Sequence, residues 1–184
     1  ARAAVALELG MVVTQTLAAV WFYRLFRTVD SFAASGIAAF GLVNAIVGLV
    51  SAAMLATAVQ VSVDPFGDAA TTVQILYLVS LNMWGVGALF FGLWLIPMGR
   101  CVLRSGWMPH VLGWTLIVGG VGYVLSAFIR YLAPDAHVIA EAVAYPAHVG
   151  EFWMVGYLLI RGVRRHAPTD APPTVHTPTP VAGR

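Results

Sequence analysis

The sequence predicts an all-α fold, a polytopic transmembrane helix bundle of about five spans. Three observations predict it: 60% of the 184 residues are hydrophobic, only 10% are charged, and the mean hydropathy is +0.84. A soluble domain is typically ~45–50% apolar and ~25% charged, because water must wet its surface. This chain instead has long apolar runs of ~20 residues joined by short polar links.

The first span covers about residues 3–23 and closes on Trp21, Phe22 and Tyr23, aromatics suited to the headgroup level. Arg24 and Arg27 follow on the water side, and a short link carries Asp30. The second span covers about 34–58. Along it Gly41, Ala45, Gly48 and Ala52 recur every three or four residues, a helix-packing face that lets backbones approach closely. A loop with Asp64, Pro65, Gly67 and Asp68 leads to a third span, about 71–98, which Pro97 is expected to bend near its end. Residues 99–108 read as a basic loop with Arg100 and Arg104, and Pro109 reads as the first residue of the next helix. The fourth span covers about 110–132 and is thinned by Gly113, Gly119, Gly120 and Gly122. The fifth covers about 138–160, interrupted by Pro146.

These spans form one bundle over residues 1–165. Residues 166–184 hold five of the ten prolines and several threonines, so they read as a disordered cytoplasmic tail. The chain enters an apolar run almost at Ala1, without a methionine, which suggests a processed or truncated N-terminus.

Every basic side chain is an arginine, since lysine is absent. Arg24, Arg27, Arg100, Arg104, Arg161, Arg164 and Arg165 all fall at one end of the spans. The other end offers Asp64, Asp68 and Asp135 against Arg2 and Arg130. The positive-inside tendency then puts the basic loops and the C-terminus in the cytoplasm of a bacterial plasma membrane. The expected partners are the lipid bilayer and other membrane protein subunits. Without a basic run interleaved with aromatics, nucleic acid is not an expected partner. The single Cys101 permits neither an intrachain disulfide nor a cysteine zinc site.

Phe90 to Ser126 reads FFGLWLIPMGRCVLRSGWMPHVLGWTLIVGGVGYVLS. The residues Phe91, Gly92, Gly99, Ser105, Gly106, Pro109, Leu112, Gly113, Gly120, Gly122 and Tyr123 make a pattern that resembles the bacterial integral membrane family "domain of unknown function 4386". Tyr23–Asp30 looks like that family's first cytoplasmic link, and Gly150–Gly162 like its closing helix. The resemblance implies a helical membrane fold with a sixth helix N-terminal to this chain, and it implies no activity. One departure is Gly41, which stands after Ala38–Ala39–Phe40 where the family often carries arginine.

Ionisable groups at membrane depth cost roughly 2.5–3.5 kcal/mol on insertion scales, so each calls for an explanation. The candidates are Glu8, Arg130, Glu141, His148 and Glu151, with the amides of Gln15, Asn44 and Asn82. Arg130 and Glu141 flank a tight turn and are expected to form an ion pair. Glu141, Tyr145, His148 and Glu151 fall within about 120° on a helix. With Asn44 and Asn82 they are the candidate polar or ligand site, readable either as a seam satisfied between helices or as a small-molecule or ion site. No catalytic residue, metal ligand set or cofactor motif is found, and no cofactor is expected. The leading expectation is a non-enzymatic accessory or structural subunit of a larger membrane assembly. The alternative is a small-molecule or ion transporter or sensor built on Glu141, His148 and Glu151.

Overall fold

In a computed structural model, which describes residues 2–163, the chain folds into five α-helices and one short 3-10 turn. The helices are α1 (Arg2–Phe26), α2 (Ser31–Val63), α3 (Ala69–Ser105), α4 (His110–Leu132) and α5 (His137–Arg161), with the turn at Pro134–Ala136. Successive helices pack against each other, α1 on α2, α2 on α3, α3 on α4 and α4 on α5. Four of them, α1 to α4, are long and apolar enough to cross a membrane. The fifth span expected from the sequence is not among those four. Although α5 has 25 residues, it carries Glu141, His148, Glu151 and Pro146. The expected tail at 166–184 lies outside the described residues.

Two helices outrun their sequence-predicted spans. At 1.5 Å per residue the 33 residues of α2 and the 37 of α3 extend roughly 50 and 55 Å, well beyond a ~30 Å hydrocarbon core. The third continues through Pro97 and takes in Arg100 and Arg104, so the expected basic loop is mostly helix. The helix ends at Gly106, whose φ of 66° glycine adopts without the steric cost that a Cβ brings. Pro109 sits one residue before α4 rather than at its first position, with extended backbone.

Caps start the two long helices. Asp30 accepts a hydrogen bond from Ala33 N–H at 3.0 Å at the head of α2, and Asp68 accepts one from Thr71 N–H at 3.2 Å at the head of α3. Toward the arginine-rich end the core is aromatic: Phe22 meets Trp94 edge-on and Phe26 stacks on Trp107. Tyr157 of α5 donates to Trp107 O at 3.1 Å, tying the last helix to the same end.

Glycine sets the spacing of α3 against α4. A Cβ on Gly92 would stand 2.5 Å from Gly120 O, and one on Gly120 would stand 2.7 Å from Gly92 O. One heptad away the same reciprocity joins Gly99 and Gly113, at 2.5 and 3.0 Å. Two backbones touch there without intervening side chains. The other side of α4 meets α5 as closely, with Gly119 against Ala147 and Gly122 against Val143.

Candidate functional site

Polar groups that face each other inside the membrane are the natural candidates, and the structure gathers them on α1, α2 and α3. Glu8 Oε1 accepts from Ser51 Oγ at 3.2 Å and from Trp84 Nε1 at 3.1 Å. Ser51 Oγ in turn lies 2.8 Å from Ser80 Oγ, and both serines are buried. Seven residues further along α1 sits Gln15, and seven before Ser51 on α2 sits Asn44, which is only 5% exposed. Because α1 and α2 are antiparallel, these offsets stack two polar layers where three helices meet. The small residues expected to form a packing face on α2 make the approach possible. Gly41, Ala45, Gly48 and Ala52 are all buried. A Cβ on Gly41 would fall 2.8 Å from that of Ala19, and one on Gly48 3.2 Å from Val12 Cγ2.

The stripe expected on α5 is drawn apart. Glu141, Tyr145 and His148 are exposed, Tyr145 to 68%, while Glu151 is half-buried. His148 Nε2 is 3.1 Å from Tyr123 OH on α4, and the two rings meet edge to face. Asn44 belongs to the α1–α2–α3 cluster instead. Asn82 belongs to neither: it is exposed, and its Nδ2 donates back to Leu78 O at 2.9 Å. Two residues from buried Ser80, it points about 200° away on the helix wheel.

No ion pair joins Arg130 to Glu141. Both side chains are exposed, and Arg130 leans over α3, its Cδ 3.7 Å from where a Cβ of Gly85 would be. Among the described residues the ion pairs converge on Asp30. Its Oδ2 accepts from Arg100 Nε at 2.9 Å and from Arg104 Nη1 at 2.6 Å, while Oδ1 caps α2. The Asp30 side chain is only 7% exposed. The Ala33 N–H and the two guanidinium groups lower its pKa from the usual 3.8 to about 2. A single carboxylate thus holds the start of α2 to the end of α3. Among the described residues no group of three or more His, Cys, Asp or Glu side chains is placed to hold a metal ion.

Sequence reasoning counted Glu8 as a costly acid but left it out of the site. A usable signal was present: Glu8 and Gln15 are a heptad apart on one helix, and Asn44 and Ser51 a heptad apart on the next. Asp30 carried no such signal, since its arginines lie 70 and 74 residues away.

A family model described as "Domain of unknown function (DUF4386)" matches residues 1–162. The chain is also 29% identical over 77 residues to a protein of Archaeoglobus fulgidus described as "Uncharacterized protein". That match covers 42% of this chain and 44% of the relative, so it spans less than half of the relative's length. No solved structure matches the chain. By the extent of the family match, the chain belongs to the DUF4386 family. Gly92, Gly99, Gly113 and Gly120, among the residues on which the sequence resemblance rests, are the ones that bring α3 and α4 into backbone contact.

Proposed function

We propose that this member of the DUF4386 family is a non-enzymatic accessory or structural subunit of a larger assembly. It would sit in a bacterial plasma membrane with its arginine-rich end cytoplasmic. The observation that carries the reading is the outward face of α5. Glu141, Tyr145 and His148 all lie on it, and His148, near the middle of the helix, has the Tyr123 hydroxyl as its one hydrogen-bond partner among the described residues. An ionisable side chain turned to hydrocarbon at that depth is costly, roughly 2.5–3.5 kcal/mol on insertion scales. A neighbouring protein that offers hydrogen-bond partners removes that cost.

Site-specific photo-crosslinking in native membranes tests the reading, with the reactive side chain at Tyr145 and a control at exposed Val118 on α4. A discrete protein adduct at Tyr145, absent at Val118, is the expected result. Lipid adducts alone at both positions would end the subunit reading. An adduct with a second copy of this chain would replace it by a homo-oligomer.

One observation favours a second reading, a transporter or sensor of a small molecule or ion. The Tyr123–His148 hydrogen bond has Glu151 one helical turn away and half-buried, which puts three polar side chains on neighbouring faces of α4 and α5. A homogeneous preparation with ligand density beside those three residues would favour it over the subunit role.

A further inference from the structure

Between the two polar layers of α1, α2 and α3 lies a small chamber. Its volume is about 30 Å³, and Gln15, Asn44, Gly48, Val12, Trp84 and Phe91 are among its lining residues. Two atoms there are buried without a protein partner: Gln15 Nε2, which can only donate, and Asn44 Oδ1, which can only accept. Such atoms in a folded protein are nearly always satisfied by protein or by ordered water. The chamber has room for a water. A donor on α1 and an acceptor on α2, both lining residues of one chamber, are the complement of one water molecule.

We infer that this chamber is a hydrated site in the membrane interior, in which one water accepts from Gln15 Nε2 and donates to Asn44 Oδ1. The layer above it is polar as well. Trp84 belongs to both levels, with Nε1 donating to Glu8 and its ring against the chamber. Glu8 Oε2 is buried and has no protein partner either, so this layer, with Ser51 and Ser80, holds a further unpaired acceptor beside the chamber. In the other direction the polar layers stop. Ala19 is fully buried against Gly41, and beyond it Phe22 packs on Trp94. The arrangement is a polar pocket of two layers inside the bundle, with Gln15 and Asn44 as its inner layer.

Water-edited solid-state NMR on the labelled full chain in lipid bilayers tests this. Water magnetisation is expected to build up on the side-chain amides of Gln15 and Asn44. It should be absent at the amide of Asn82, which is exposed on the lipid side of α3 and bonded to its own helix. Gly48→Ala adds a methyl to the chamber wall and should abolish the build-up at both amides. Asn44→Leu, a second variant that leaves Gly48 in place, should abolish it at Gln15. Absence of transfer in the unsubstituted protein would overturn the inference, because a dry cavity or a direct amide–amide bond gives none. Transfer that survives both substitutions would also overturn it, by locating the water elsewhere.

Discussion

Replacing Gly92 by alanine separates steric cost from helix propensity, because the same substitution at Gly156 is an internal control. The new Cβ at position 92 would lie 2.5 Å from Gly120 O and 2.9 Å from Val124 N, both backbone atoms with no rotamer to yield. Restoring ordinary contact, which begins at 3.4 Å, requires α3 and α4 to part locally by roughly 0.9 Å. A gap of that size forfeits a quarter to a half of the attraction at each atom pair across the seam, and overpacking of this kind costs about 1–3 kcal/mol. Alanine also gains about 1 kcal/mol over glycine in a helix, which masks part of the loss. At Gly156 no atom lies within 4 Å of the added Cβ, so only the gain remains. The two variants should therefore differ by about 1–3 kcal/mol in denaturant titrations of detergent-solubilised protein followed by tryptophan fluorescence. Gly99→Ala, one heptad along, should behave as Gly92→Ala does. Stabilities within ~0.5 kcal/mol of the Gly156→Ala protein would refute the argument that backbone contact sets the α3–α4 spacing.

Three further outcomes follow from the geometry. Asp30 has a lowered pKa, so its contribution to stability is complete above its usual 3.8 and is lost as pH falls through about 2. The difference in unfolding midpoint between the unsubstituted protein and Asp30→Asn should be constant above that window and shrink across it; a difference that persists to the acid end would remove the Arg100–Asp30–Arg104 contact from the account. Arg130→Ala and Glu141→Ala should be additive in thermal unfolding, because no ion pair links them, and a coupling above ~0.5 kcal/mol would show that they meet. With buried Cys101 replaced by serine, a Ser105→Cys protein should resist impermeant thiol reagents in intact cells and react in inverted vesicles; the opposite pattern would reverse the proposed orientation.

The helices were legible because apolar runs of membrane length report themselves locally, and the glycines of α4 signalled close packing in the same way. What the sequence did not yield were pairings between helices. Arg100 and Arg104 looked like loop residues, since nothing near them reveals that α3 continues to Gly106 or that Asp30 is their target. Asn82 looked equivalent to Asn44, yet the phase of α3 turns one outward while α2 turns the other into the core. Glu8 finds Ser51 and Trp84, 43 and 76 residues away, and serine and tryptophan are too common in membrane helices to announce a partnership. On α5 periodicity fixes only which residues share a face. It leaves open whether that face looks inward.

The distance along the chain between Asp30 and its two arginines bears on how the protein is made. Seventy residues separate Asp30 from Arg100. At synthesis rates of ~5–20 residues per second, roughly 4 to 14 seconds pass before the first guanidinium is available. During that interval the hairpin of α1 and α2 has its cap but not its counter-ions. Only when Arg104 has been synthesised can the joint be drawn into the closed end. The joint between α1 and α2 is thus completed by residues made after both helices.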